Sequence, residues 1–198
     1  MPEFFEVVRR QRACRTFRPD AVADELVERV LEAATFAPSA ENRQPWEFVV
    51  VRDEGVRARI GDLTRQAWRA GARAYSESRL SPRLLADVDR GAEGEVSAAP
   101  VLVVVCADAR RAHEAAVPAS IFPAVQNLLL AADAVGLGAA LTTLPTAFAA
   151  ELRDLLSLPE HVRPLAVVPI GHPARALGPP RREPVADHAH RDRYGNRW

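Results

Sequence analysis

Three short stretches of this chain combine residue types that bind or activate small molecules. Arg9-Arg10-Gln11-Arg12-Ala13-Cys14-Arg15-Thr16-Phe17, continued by Arg18, places five guanidinium groups within ten residues. Guanidinium forks bind phosphate oxygens bidentately, so the stretch is a candidate anion site; the alternative is a solvated helix end whose arginines complement the C-terminal dipole. Ala37-Pro38-Ser39-Ala40-Glu41-Asn42-Arg43-Gln44-Pro45-Trp46 is dense in amide and hydroxyl groups between two prolines. Those groups serve either as turn chemistry, bonding their own backbone, or as a rigid polar platform that reads a planar heterocycle. Pro179-Pro180-Arg181-Arg182-Glu183-Pro184 is a stiff turn holding two guanidinium groups, an exposed basic turn or part of a ligand site. The five histidines form no recognisable triad: His172 ends a predicted strand, and His188 and His190 fall in a polar C-terminal stretch. Cys14 and Cys106 lie far apart and outside any CxxC pair, so they offer no metal-ligand spacing, and Cys14 reads as a small buried residue rather than a nucleophile.

These groups must be positioned by an ordinary globular fold. The chain has 198 residues, 48% hydrophobic and 26% charged, with 26 basic residues (all arginine) against 26 acids. That composition supports one domain with a substantial core and excludes a disordered chain. Zero formal net charge argues against a nucleic-acid binder that works by bulk charge. The N-terminus lacks the apolar region of a signal peptide, and the apolar runs 100–107 and 125–141 read as too short or too interrupted to span a bilayer. With two isolated cysteines, the expectation is a cytoplasmic protein with no membrane or nucleic-acid partner.

Apolar spacing predicts an amphipathic helix over 3–12 and a second over 24–36 that Pro38 ends. A strand follows over 46–51, then a helix over 56–70. Residues 71–98 have weak periodicity and read as a mobile excursion with one helical stretch at 82–90. The continuous apolar run 101–106 predicts a central strand buried on both faces. An almost wholly buried helix over 121–135 is expected to end at Gly136, followed by a short strand at 139–142, a helix over 146–156 and a buried strand over 163–170. Residues 1–173 therefore form one domain, and 174–198 are an arm of that domain, too polar to make its own core. Tyr194 and Trp198 in the arm suggest a neighbouring surface to cover them. Neither a GxGxxG turn nor a P-loop is present.

Taken in order, the three stretches resemble the nitroreductase family of FMN-dependent oxidoreductases. Arg12, Arg15 and Phe17 match its R-R-S-x-R-x-F motif, and Ala37, Pro38, Ser39, Asn42, Gln44, Pro45 and Trp46 complete its A-P-S-x-x-N-x-Q-P-W motif. Gly136-Leu137-Gly138, Pro169-Ile170-Gly171-His172-Pro173 and Arg181-Arg182-Glu183-Pro184 supply the rest. Two positions depart from the pattern: Gln11 replaces its first Arg and Ala13 its Ser, which removes a phosphate-binding hydroxyl.

The resemblance implies an α+β fold, a three-layer α/β/α sandwich around a mixed, mainly antiparallel sheet, with a C-terminal arm that wraps a partner subunit. It further implies a homodimer with FMN at the subunit interface. Arg12, Arg15 and Arg182 would neutralise the FMN phosphate, helped by Arg181 and by the backbone at Ala13. Pro38, Ser39, Ala40 and Asn42 of the partner chain would line the flavin, with Gln44 supporting them, and the turn at Thr142 and Thr143 would aim a backbone N–H at flavin N5. NADH or NADPH would reduce the flavin, which would then reduce a nitroaromatic, quinone or other electron-poor acceptor in a ping-pong cycle that needs no catalytic side chain and no metal. The alternative is a non-catalytic flavin-binding, storage or sensor protein on the same scaffold.

Overall fold

The computed structural model describes residues 2–198. Helix α1 (Phe4–Arg10) opens with a capping box in which Glu3 and Glu6 each accept from the other's end of the turn. The helix buries only Val7, and Phe4, Phe5 and Val8, the apolar residues that make it amphipathic, point outward. Helix α2 (Asp24–Thr35) buries Val27, Val30 and Ala34, as its spacing required. Strand β1 (Trp46–Val51) follows, then α3 (Glu54–Ala67), capped by the Asp53 carboxylate on the Val56 amide.

Residues 68–98 are helical almost throughout, which corrects the expectation of a mobile excursion. A wide i→i+5 turn (Trp68–Ala72) leads into α4 (Arg73–Glu77) and α5 (Pro82–Arg90), and a second such turn spans Gly91–Glu95. Each wide turn adds a residue per hydrogen-bonded loop and shifts the phase of the apolar pattern, so no 3.6-residue period survives across the segment. Polar pairs hold it instead. The indole N–H of Trp68, only 2% exposed, donates to Asp89 Oδ1 at 2.7 Å, and Arg73 reaches the same oxygen at 3.2 Å. Arg69 pairs with Glu93, and Arg65 Nε donates to the Glu93 carbonyl at 3.2 Å.

Strand β2 (Val101–Asp108) is buried at every residue. After it come α6 (Val117–Ala134), β3 (Gly138–Ala139), α7 (Ala149–Leu155) and β4 (Val162–Gly171). The four strands lie in the order β1-β2-β4-β3, and every ladder is antiparallel. The parallel component of the mixed sheet is a single bridge between Ala13 and Ala139. Alternation along β2 sends Val101, Val103 and Val105 to the side of α2 and α6, and Leu102, Val104 and Cys106 to the side of α3 and α7. Three layers result. Val105 faces Ala166 while Cys106 faces Pro164, so β4 carries one extra residue at Leu165. This bulge inverts the parity of β4: Val162 shares a core with Val167, while Ala166, Val168 and Ile170 point to the other.

Helix α6 is not wholly buried. Ile121, Ala124, Val125, Leu128 and Ala132 are inside, but Phe122 is 40% exposed and Gln126 is exposed as well. Residues Glu114–Ala134 are, by length and mean hydropathy (1.5), long and apolar enough to cross a membrane, contrary to the reading of the apolar runs. In the fold that apolarity belongs to packing on β2 and α2. Gly136, at φ +82, takes the left-handed position just past the helix end that the sequence assigned to it. Beyond Pro173 the chain is mostly exposed, extended up to a turn at Val185–Asp187 and then folded back on itself through an antiparallel bridge between His190 and Arg197; Tyr194 and Trp198 are 91% and 67% exposed.

Two outcomes follow from this packing. Leu128→Ala removes a fully buried side chain between α6 and the sheet and lowers stability by about 2–5 kcal/mol, read by urea denaturation. Hydrogen bonds from Trp68 and Arg69 hold Asp89 and Glu93 below the usual carboxylate range, and the Arg110 guanidinium does the same for Asp108. The folded chain then binds fewer protons than the unfolded one in acid, so this stability is complete above about pH 5 and is lost as pH falls through the unfolded and then the lowered values. The thermal midpoint should drop over that range, with a shallower drop and a lower neutral-pH midpoint in Asp89→Asn.

Candidate cofactor site

Residues 12–18 form an extended segment laid between the end of α6 and the start of the arm. The Cys14 amide donates to the Ala139 carbonyl at 2.9 Å, Arg18 to His172 at 2.8 Å, and Ala174 to Thr16 at 3.1 Å. Two motif glycines make that approach possible. A Cβ on Gly138 would lie 2.6 Å from Cys14 Sγ, and one on Gly171 would lie 2.9 Å from the Phe17 ring. Burial pushes the Cys14 thiol up and the Cys106 thiol to about 12, so neither is a thiolate near neutral pH and both act as packing residues.

Beside this segment is a cavity of about 610 Å³, within the range of ligand pockets. Gly136, Leu137, Gly138 and Ala139 contribute one wall, Arg10, Gln11 and Arg12 a second, and His172, Pro173 and Arg175–Leu177 a third. The cavity is rich in arginine, but most of that charge is matched. Arg10 pairs with Asp133 at 2.7 Å, Arg18 with Asp20 at 3.1 Å and Arg175 with Asp87 at 3.4 Å. Arg12 differs: its Nη1 donates to the Gly178 carbonyl at 3.0 Å, and among the described residues it has no carboxylate partner. An uncompensated guanidinium in a cavity is a site for an anion.

The other expected site residues are placed as follows. Ala13 is committed to its bridge with Ala139. Arg15 does not line the cavity; its Nη1 donates to Asp87 at 2.9 Å, and Asp87 also binds the cavity residue Arg175. Arg181 and Arg182 are away from the cavity wall, with Arg182 Nη1 on the Arg181 carbonyl at 2.9 Å. The expected cluster of Arg12, Arg15 and Arg182 around one phosphate is therefore not assembled within this chain. The arm is held at Gly178 and continues outward from there, and Arg15 is anchored to Asp87 on α5, outside the cavity wall. The Thr142 amide is already spent on Val167 at 2.9 Å, which leaves Thr143, whose amide has no acceptor among the described residues, as the donor at that turn.

The loop from Pro38 to Gln44 lies elsewhere. Glu41, Asn42 and Gln44 all have positive φ, at 55°, 53° and 49°, a costly conformation for side-chain-bearing residues. Internal bonds sustain it: the Gln44 amide donates to Ser39 Oγ at 3.0 Å and Gln44 Nε2 to Asn42 Oδ1 at 3.2 Å. The Ala40 amide donates to Ser120 Oγ at 3.2 Å, which fixes the loop at the start of α6. The cavity lies at the far end of that helix, beside Leu129 and Asp133. At 1.5 Å per residue the axis advances about 20 Å from Ser120 to Asp133, so one chain cannot bring both motifs to one small ligand. Sequence reasoning did not single out Arg175 or Asp87. Arg175 had a local signal, two residues after the strand-ending Pro173, whereas Asp87 had none.

A profile of the nitroreductase family matches residues 8–172. A Methanothermobacter thermautotrophicus protein, provisionally named an NADH dehydrogenase/NAD(P)H nitroreductase, is 32% identical over 182 residues, spanning 89% of this chain and 80% of that protein. The iodotyrosine deiodinase of Haliscomenobacter hydrossis is 32% identical over 183 residues, with 87% and 80% of the two chains aligned. Among solved structures, a provisionally named nitroreductase from Desulfovibrio desulfuricans in complex with FMN superimposes with a TM-score of 0.73 at 28% identity, covering 98% of this chain and 99% of its own. Profile, relatives and fold agree with the ordered motifs, and this chain belongs to the nitroreductase family.

Proposed function

We propose that this protein is an FMN-dependent oxidoreductase that draws electrons from NADH or NADPH and reduces nitroaromatic, quinone or similar electron-poor acceptors. The observation that carries the reading is Arg12, a guanidinium without a carboxylate partner in a cavity of about 610 Å³. Its charge and open fork fit a phosphate group, and a cavity of this size fits part of a flavin nucleotide. FMN, when bound, supplies reversible two-electron transfer at flavin N5. Arg12 would hold the phosphate and the Thr143 amide would offer a hydrogen bond to the ring. Ala13, without a hydroxyl, can offer only backbone to the phosphate.

Pro38, Ser39, Ala40, Asn42 and Gln44 would reach the ligand from a second copy of the chain, because α6 separates them from the cavity of their own. Exposed Phe4, Phe5, Val8, Phe36 and Phe122 offer apolar surface for such a homodimer. Arg181 and Arg182, carried past Gly178, belong to the same reading as supplementary phosphate ligands. Two free, buried cysteines fit a cytoplasmic location. A second reading, reductive dehalogenation of an aromatic substrate, draws its support from the iodotyrosine deiodinase relative and uses the same site.

Titration of the apoprotein with FMN should give one binding event per chain, weakened about tenfold or more in Arg12→Ala, as loss of a charge-assisted contact requires. Anaerobic addition of NADH, then NADPH, should bleach the bound flavin with at least one of them. Bound flavin that stays oxidised favours the non-catalytic reading, and a colourless protein that refuses FMN overturns the cofactor assignment. Contribution across the dimer has its own measurement. Mixed dimers of Arg12→Ala and Asn42→Ala chains regain one site of wild-type FMN affinity per heterodimer, whereas sites built within one chain regain none.

A further inference from the structure

Helix α5 and the turn that follows it grip residues 15 and 16 along a single face. Asp87, Gly91 and Glu95 recur every four residues, the spacing that stacks side chains along a helical path. Asp87 Oδ2 accepts from Arg15 Nη1 at 2.9 Å, and Glu95 Oε2 accepts from Thr16 Oγ1 at 2.7 Å. Between them Gly91 makes room for the arginine stem: a Cβ there would lie 2.8 Å from Arg15 Cδ.

The pair is sheltered, with side chains 21% and 24% exposed, so it is screened less than a surface ion pair. The other carboxylate oxygen of Asp87 meets Arg90 at 3.2 Å and Arg175 at 3.4 Å. Glu95 also meets Arg90 at 3.7 Å, so two acids face three arginines and the cluster keeps one positive charge. Arg15 spends one N–H on Asp87, and no buried side-chain polar atom among the described residues lacks a partner. Its remaining donors therefore open onto accessible space. A planar fork clamped on one side and free on the other is a pre-organised donor for an anionic oxygen.

We propose that Asp87 is a positioning residue, which together with the side-chain-free Gly91 clamps Arg15 in the orientation that receives the phosphate of FMN. The inference rests on the FMN reading above and adds α5 to the parts of the chain that cofactor binding depends on.

The test compares FMN with riboflavin, which lacks the phosphate. Dissociation constants are measured by fluorescence quenching on apoprotein for the wild type, Asp87→Asn, Arg15→Gln and the double variant, with circular dichroism and thermal melts as a check on folding. Asp87→Asn should weaken FMN about tenfold while leaving riboflavin within about twofold, and the double variant should be no weaker than Arg15→Gln alone. Equal loss for both ligands assigns Asp87 to fold maintenance and overturns the proposal, as does unchanged or tighter FMN binding. Gly91→Ala covers the case in which Asp87→Asn fails to fold. Gly91 has helical φ and ψ of −57° and −48°, so alanine suits the backbone, yet its methyl displaces Arg15 and should reproduce the loss confined to FMN. Loss of riboflavin binding as well in Gly91→Ala, or unchanged FMN binding, overturns the proposal. A wild-type chain that binds no FMN overturns the cofactor reading itself, whereas normal wild-type binding matched by both variants overturns this inference alone.

Discussion

A strand without a solvent-facing residue must be covered on both sides, and β2 is such a strand from Val101 to Asp108. Most of the architecture follows from that requirement. Odd-numbered β2 residues demand one apolar layer, met by α2 and α6, and even-numbered ones demand another, met by α3 and α7. Because α6 must run the length of the covered face, its two ends are far apart, and each end acquires a different piece of polar chemistry. The Pro38–Gln44 loop is bonded at its start, and the arginine-lined cavity forms at its finish. The layout of the site is a by-product of how long a helix is needed to cover the strand.

Where an element owes its form to nearby residues, the sequence was sufficient. Strand β1 occupies 46–51 as its aromatic and β-branched residues indicate, α5 occupies 82–90 behind Ser81 and Pro82, and Gly136 closes α6. Elements held by distant partners were harder to read. Asp89 and Glu93 stabilise the 68–95 region by reaching back some twenty residues to Trp68 and Arg69, and the wide turns at Gly71 and Gly94 erase the apolar period that would have revealed helices. The outward face of α1 is illegible for another reason: amphipathic spacing shows that a helix has an apolar side without showing whether its own chain covers it.

The site shows the same division. Arg12 was legible because it sits in a dense basic motif and its side chain needs nothing distant to reach the cavity. Arg15, equally prominent in the motif, is anchored by Asp87, 72 positions away, and no local pattern anticipates such a pairing. Arginine suits both roles, since a guanidinium offers several donors in a fixed plane and can hold an acid with one while presenting others. A chain whose basic residues are all arginine therefore ties down its middle segment with the same side chain type that lines its cavity.

The extra residue at Leu165 has a consequence for how this chain can vary. An uninterrupted strand would put Val162 and Ala166, four positions apart, on one face; the extra residue lets them serve opposite cores. Deleting that residue would close the ladder, with Pro164 next to Ala166 and Val162 still opposite Asp108 and in its own layer. Deleting a position between Val167 and Ile170 is different: no spare residue lies there, and the side chains on one side of the cut would change layers. Over a lineage, β4 can thus lose or regain a residue at Leu165, and alignments of divergent descendants should gather gaps there and in the surface turns near 78–81 and 109–113, not between Val167 and Ile170.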